Sequence, residues 1–278
     1  MTGLVFALVL AAALLHATWN ALLRGGGDRL WSMTVMSFVT TAIAVPWALL
    51  VKLPAAAAWP WLGASALLQL GYSLFLVQAY RFGGLGQVYP VARGTAPLLV
   101  TLLALLLAHD RPGVPALVGI ALVSGGLFSL ARGVDRASRR ALLLALTTGA
   151  FIAAYTTVDG IGVRLAGTVG SYAAWLFLLY GALMPASFFL LRGRRWPDVP
   201  PAETFRALLG GGLSLLTYGI VVFALARAPI AAVSALRETS VVFAALLGHL
   251  FLGERLTARK LAACVVIALG TACIGWQR

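Results

Sequence analysis

Residues 86–111 read GQVYPVARGTAPLLVTLLALLLAHDR, and residues 230–255 read IAAVSALRETSVVFAALLGHLFLGER. Each stretch carries one arginine near its start, continues as a long apolar run, and ends in an acidic residue followed by arginine. An α-helix needs ~20 mostly apolar residues to cross a ~30 Å hydrocarbon core, so each stretch is long enough to span a membrane. Aligned with each other, they pair Arg93 with Arg237, Thr95 with Thr239, Asp110 and Arg111 with Glu254 and Arg255, and, further on, Gly126 with Gly270.

The rest of the chain has the same apolar character. Of its 278 residues, 61% are hydrophobic and 10% are charged, whereas soluble domains carry roughly 25% charge. The apolar runs lack the ~10-residue polar and apolar alternation of a membrane β-barrel, so we predict an all-α integral membrane protein. The ten predicted transmembrane helices cover residues 3–23, 30–51, 60–80, 86–108, 114–131, 141–164, 170–191, 204–226, 230–252 and 257–276.

Positive charge is concentrated in the loops on one side of the predicted membrane. Of 21 Lys and Arg residues, 14 follow odd-numbered spans, 5 lie on the other side, and Arg93 and Arg237 lie within spans. The positive-inside rule therefore places both termini outside, and an impermeant thiol reagent should not reach a cysteine introduced at Gly193 in intact cells. Because the cations are divided among short loops, the net charge of +13 does not predict nucleic-acid binding.

The two halves of the chain, residues 1–135 and 136–278, resemble each other beyond the opening pair of stretches. The first helix of each half matches as well, with Thr157 on Thr18 and Asp159 on Asn20. A unit of five spans returns the chain to the opposite side, so the second copy is predicted to be inverted, as in many transporters. Chance similarity among Leu- and Ala-rich helices is the alternative, and the shared intramembrane arginine argues against it.

Three short motifs support a family resemblance. They are HATWNALLR at residues 16–24, YTTVDGIGVR at 155–164 and GERL at 253–256. Together with the ten spans and the duplication, they resemble the drug/metabolite transporter superfamily, in particular its EamA-type members with two five-helix repeats. The resemblance covers essentially the whole chain and implies a central solute cavity between the halves. It does not imply one substrate, since relatives handle amino acids, drugs, nucleotide sugars and lipid-linked sugars.

Four charges fall well inside predicted spans: Arg93, Asp159, Arg237 and Glu238. Each costs ~2.5–3.5 kcal/mol at the membrane centre, so such side chains usually face a cavity or a partner. We expect Arg237 to pair with Asp159, and Arg93, with no carboxylate evident at its depth, to contact the solute. Two alternatives stay open: Arg93 reaches the membrane interface, and Asp159 caps or positions its helix.

Polar and aromatic side chains within the spans complete the predicted site. The candidate substrate-binding residues are Arg93, His16, Asn20, Trp19, Tyr89, Tyr72, Tyr155, Trp175 and Tyr218, and the candidate structural or coupling charges are Asp159, Arg237 and Glu238. The aromatic residues have an alternative role in helix packing. Two small-residue stripes, Ala121 with Gly125 and Cys264 with Ala268 and Ala272, are expected to be packing surfaces and secondarily a dimer face.

These features favour a secondary transporter of a small organic metabolite, anionic or zwitterionic. The chain contains no Gly-x-x-x-x-Gly-Lys-Ser/Thr phosphate loop. The alternative is a flippase for a phosphate-linked lipid or sugar-lipid. Neither metal-ligand spacing nor a nucleophile motif supports an intramembrane enzyme, and no cofactor is expected. The expected partners are the solute and the lipid bilayer, around a monomer or weak homodimer in a bacterial inner membrane.

Proton coupling, if present, needs a group that titrates in the working pH range. Four-helix members of the superfamily carry a glutamate in their first helix, but the first span here offers His16 and Asn20. If Arg237 fixes the charge of Asp159, His16 is the remaining titrating group, because an ordinary histidine has a pKa near ~6.5. The sequence therefore predicts that His16→Gln weakens the pH dependence of transport more than Asp159→Asn does.

Overall fold

The computed structural model describes residues 1–23, 28–82, 85–131, 139–193, 197–252 and 256–276, and in these residues it is helical without strands. The helices are α1 Gly3–Leu22, α2 Arg29–Leu50, α3 Trp59–Phe82, α4 Leu85–Leu107, α5 Val114–Ala131, α6 Arg139–Leu165, α7 Val169–Arg192, α8 Pro201–Leu225, α9 Ile230–Arg237, α10 Ser240–Leu252 and α11 Ala258–Gly275. They form ten candidate membrane spans, with α9 and α10 as one span. Every predicted span is confirmed to within three residues of its ends. The division of the chain at residue 135 stays a prediction and lies outside the described residues.

Side-chain caps set several helix starts. The Asp28 carboxylate accepts the Trp31 N–H at 3.0 Å, and the Thr168 hydroxyl accepts the Ser171 N–H at 3.1 Å. Such caps provide hydrogen-bond acceptors for N–H groups that have no partner within the helix. The stabilisation is largest where water is absent and cannot bind these groups instead. Pro201 begins α8, where its missing N–H costs nothing.

Eight spans form a closed ring, as judged from which helices pack together. In order around the ring they are α1, α8, α2, α7, α3, α6, α4 and the α9–α10 span, which returns to α1. Every neighbour in this ring comes from the other half of the chain. α5 and α11 pack against each other, with α5 also on α4. A space enclosed by the ring is therefore lined by both halves.

The ring has two ends, a terminal side and a distal side. The terminal side holds the start of α1 and the end of α11, with loops 51–58, 108–113, 166–168 and 226–229. The distal side holds the end of α1 and the start of α2, with the described loop residues 197–200 and 256–257. The predicted excess of positive charge belongs to the distal side.

The ninth span is interrupted inside the membrane. α9 ends at Arg237 and α10 begins at Ser240, with Glu238 and Thr239 between them. The Glu238 N–H binds the Ala235 carbonyl and the Thr239 N–H binds the Leu236 carbonyl, both at 3.1 Å and both three residues back. This tighter, 3₁₀-type turn changes the direction in which the following side chains point. The sequence did not predict the interruption.

α5 and α11 approach closely through glycines. A Cβ placed on Gly119 would lie 2.5 Å from the Gly270 carbonyl oxygen, and a Cβ on Gly270 would lie 2.7 Å from the Gly119 carbonyl oxygen. Backbone-to-backbone contact of this kind is common where membrane helices pack. The predicted small-residue stripes are wrong as packing surfaces within the monomer, because Ala121, Gly125, Ala268 and Ala272 are exposed. Their secondary role as a dimer face stays a prediction.

Candidate solute cavity

A cavity of about 580 Å³ lies inside the ring, in its distal half. Nine of the predicted site residues line it: His16, Trp19, Asn20, Tyr72, Tyr89, Arg93, Tyr155, Tyr218 and Arg237. Trp175 is outside the cavity lining and packs edge-on against Trp59, with ring centroids 5.0 Å apart. Asp159 and Glu238 lie behind the lining.

The cavity opens to the distal side. Its lining includes Arg29, Thr257 and Arg259, which are exposed at the distal ends of α2 and α11. Towards the terminal side it ends near Tyr155 and Tyr218, beyond which α9 is buried along its whole length. The cavity is therefore accessible from one side in this conformation.

The α1 face of the cavity is formed by His16, Trp19 and Asn20. The Asn20 side-chain amide donates to the His16 carbonyl at 2.7 Å, one turn back along the helix. The Trp19 ring meets the His16 imidazole edge-on at 4.9 Å, and the buried Trp19 Nε1 has no hydrogen-bond partner among the described residues. A buried N–H without a partner is costly, so this donor is available to a solute.

Arg93 has a carboxylate partner, which corrects the sequence-based expectation. Its Nε lies 2.7 Å from Glu238 Oε2, and its guanidinium also donates to Ser240 Oγ at 3.3 Å. Both ions of the pair are at least 95% buried. The interruption after α9 explains the error, because Glu238 leaves the helix there and meets the neighbouring α4.

Asp159 is paired with hydroxyls rather than with Arg237, which corrects a second expectation. Its Oδ1 accepts the Tyr172 hydroxyl at 2.8 Å, and its Oδ2 accepts the Tyr218 hydroxyl at 2.5 Å. Among the described residues no cationic nitrogen lies within 4.0 Å of this carboxylate. Arg237 instead lies over the face of the Tyr218 ring, 5.3 Å from its centroid. Tyr218 is therefore the contact between the two charges.

Aromatic rings continue from Tyr218 across the cavity. Tyr155 meets Tyr218 edge-on at 6.0 Å and Tyr72 at 5.8 Å. Next to Tyr72 on α3, the Ser73 hydroxyl shares a hydrogen bond of 3.0 Å with the Tyr180 hydroxyl of α7. Gln69 and Ser73, one turn apart on α3, line the cavity and were missed from the sequence, although their four-residue spacing was a usable signal.

Comparisons with known proteins agree with this architecture. The model of the EamA-like transporter family matches residues 139–276. Residues 139–276, the second half of the chain, belong to the EamA-like transporter family. Members of this family are membrane transporters of the drug/metabolite type rather than enzymes. A solved crystal structure is 18% identical in sequence to this chain, and its superposition has a TM-score of 0.73. The match covers 97% of this chain and 94% of the other, which shows a shared fold. No curated protein matches the sequence.

The terminal side of the transporter is closed by a polar network at the end of the YTTVDGIGVR motif. Arg164 binds both carboxylate oxygens of Asp110 at 3.1 and 3.2 Å and donates to the Leu225 and Ala228 carbonyls at the end of α8. Asp110 also accepts the Ile230 N–H at 3.0 Å, at the start of α9. These bonds join four helix ends on the side away from the cavity mouth. Arg24, Glu254 and Arg255 of the other motifs lie outside the described residues.

Proposed function

We propose that the protein is a secondary transporter that binds a small anionic or zwitterionic organic solute in this cavity and moves it by alternating access. Its proposed location is a bacterial inner membrane, as a monomer or weak homodimer. The observation that carries the proposal is Arg237, a cation that lines the cavity and is 7% exposed. Among the described residues it has an aromatic ring but no carboxylate as partner.

The charge distribution favours Arg237 over Arg93 as the main anion contact. Arg93 is neutralised by Glu238, and bringing a second anion to that pair would require competition with a buried partner. Arg237 can bind a carboxylate or phosphate without such competition, and its planar guanidinium suits bidentate hydrogen bonding to either group. The unpartnered Trp19 Nε1 adds a neutral donor in the same cavity. Direct contact of Arg93 with the solute stays a prediction.

Alternating access is supported by how the halves pack. Exchanging each helix of the first half with its counterpart in the second turns the α3–α6 contact into α8–α1, and the α2–α8 contact into α7–α3. Both members of each pair are present in the ring. An inverted repeat predicts this equivalence of contacts. If the two halves exchanged conformations, the cavity would open to the terminal side.

The test is a stability screen of the purified transporter followed by transport. Small carboxylates, each with its neutral amide as a matched control, should include compounds that raise the unfolding temperature. A ligand at 100 times its dissociation constant adds ~2.7 kcal/mol to stability. Arg237→Gln should remove both the stabilisation and uptake of the same compound into proteoliposomes. The exposed Arg227→Gln is the control and should retain both.

Two results would contradict the proposal. One is stabilisation by cations alone. The other is full transport of the carboxylate by a folded Arg237→Gln protein. Scrambling of a fluorescent phospholipid by the same proteoliposomes, without carboxylate uptake, would favour the flippase alternative.

A further inference from the structure

We infer that Asp159 is a proton-binding site whose protonation is linked, through Tyr218, to the binding of an anion at Arg237. One proton would then be bound with each negative charge of the solute. The part concerning the solute rests on the proposed function. The part concerning Asp159 and Arg237 does not, because it follows from the arrangement of this chain's own side chains.

The geometry of Asp159 is that of a carboxyl group that can hold a proton. The side chain is fully buried in α6, its Oδ1 accepts the Tyr172 hydroxyl and its Oδ2 accepts the Tyr218 hydroxyl, and the Ser65 hydroxyl of α3 is a third hydrogen-bonding group beside it. A hydroxyl can donate to a carboxylate or, after turning, accept from a carboxylic acid, so both protonation states keep their hydrogen bonds. An arginine partner would not allow this, because guanidinium can only donate. The absence of an ion pair at Asp159 within the described residues is therefore the key feature.

Tyr218 gives the site access to water. It contacts Asp159 through its hydroxyl and also lines the cavity, whereas Tyr172, the second hydroxyl donor, is fully buried. A proton from cavity water can be accepted by the Tyr218 oxygen while the proton already on that oxygen passes to Asp159 Oδ2. One O–H bond forms and one breaks at the tyrosine, and the carboxyl gains the proton. The exchange takes place from the distal side, where the cavity is open.

Charge balance links this proton to the anion. The four charges within the spans sum to zero, with Arg93 and Arg237 positive and Asp159 and Glu238 negative. A solute anion at Arg237 leaves the buried set with one net negative charge, which a medium of low dielectric constant disfavours. A proton on Asp159 restores neutrality. Arg237 and Asp159 both contact Tyr218, so anion binding at Arg237 and protonation of Asp159 should each make the other more favourable.

Few other groups near Asp159 compete for this role. The titratable or charged groups facing it are Tyr172 from α7, Tyr218 from α8 and Arg237 from α9. The group that faces it from α3 is the uncharged Ser65 hydroxyl. On α4, which also packs on α6, the charge of Arg93 is taken by Glu238. This arrangement reverses the order predicted from the sequence. Asp159 replaces His16 as the expected coupling group, because the premise that Arg237 neutralises Asp159 is wrong.

Infrared spectroscopy of the whole protein in nanodiscs tests the inference without a solute. The absorption of a protonated carboxylic acid should appear as the pH falls from 8.5 to 5.5, and Asp159→Asn should remove it while the exposed Asp198→Asn does not. Arg237→Gln imitates neutralisation by an anion, so it should move the midpoint of this titration upwards by about one pH unit. Arg227→Gln should leave the midpoint unchanged.

The outcomes separate the two proposals. If Asp159→Asn does not fold, Tyr218→Phe assigns the band, because it removes one hydrogen bond to this carboxyl and must shift the absorption. A band absent throughout the pH range, or present in Asp159→Asn, overturns the proton site. A midpoint that is the same in Arg237→Gln and the unmodified protein overturns the linkage. If the Asp159 titration keeps its dependence on Arg237 while carboxylate transport fails, the result contradicts the proposed function but not the proton site.

Discussion

Arg93 and Glu238 form a buried ion pair between α4 and the interruption that follows α9, with side chains 5% and 2% exposed. Removing one ion leaves the other buried without a partner, which typically costs ~3–5 kcal/mol. We therefore expect Glu238→Gln and Arg93→Gln each to lower the unfolding temperature strongly, and the double variant to lower it by much less than the sum. Thermal unfolding of the four proteins in one detergent gives the coupling energy.

An additive double variant would show that the two charges do not stabilise each other. Arg237→Gln is the matched comparison, since this arginine has no carboxylate within ion-pair distance among the described residues and its loss breaks no direct ion pair. We expect it to cost less stability than either member of the pair.

The identity of these residues was predictable, but their pairing was not. Arginines and carboxylates inside apolar runs are expensive enough to stand out, and nine of the predicted residues do line the cavity. Pairing depends on where a side chain points. Arg237 and Glu238 are neighbours in sequence, and a continuous helix would point them ~100° apart without indicating which one faces Arg93. The turn at Glu238 and Thr239 decides this, and both residues are compatible with a helix.

At the scale of helices, hydropathy predicted the spans because the requirement to cover the hydrocarbon core sets both their length and their composition. It did not predict which face of α5 meets α11. Small residues occur on both faces of α5, and the stripe chosen from the sequence, Ala121 with Gly125, is the exposed one. The contact uses Gly119 and Gly270, which lie backbone to backbone.

The glycine contact gives a prediction for the α5–α11 pair. Gly119→Ala places a methyl group 2.5 Å from the Gly270 carbonyl oxygen, so the two backbones must separate. Overpacking of this kind costs ~1–3 kcal/mol, and we expect a clearly lower unfolding temperature. Gly125→Ala is the control on the same helix, because nothing lies within 4 Å of its added Cβ. Equal unfolding temperatures for the two variants would mean that α5 and α11 are not in backbone contact.

At the scale of the whole molecule, the cavity opens to the side that carries the excess of positive loops, 14 cations against 5. The positive-inside rule predicts that this side is cytoplasmic. We therefore expect this conformation to face the cytoplasm, with the network of Arg164 and Asp110 closing the outer side. Some of these cations, such as Arg29, also line the cavity mouth. Their placement there would attract an anionic solute as well as orient the protein.

Thiol labelling in intact cells checks this orientation together with the direction of opening. The reporters are Lys52→Cys on the terminal side and Asp198→Cys on the distal side, each in a protein with both native cysteines replaced by alanine; both positions are exposed, and neither change removes a distal cation. Gly193 is less suitable than Asp198, because its φ of 63° would strain a cysteine.

An impermeant maleimide should label Lys52→Cys in intact cells and Asp198→Cys only after permeabilisation. Native Cys264, which lines the cavity, should follow Asp198→Cys when Cys273 is replaced by alanine, since both are reached from the distal side. Labelling of Asp198→Cys but not of Lys52→Cys in intact cells would invert the orientation. Labelling of Cys264 from the same side as Lys52→Cys would instead mean that the transporter in the membrane opens mainly to its terminal side, with the bonds between Arg164 and Asp110 broken.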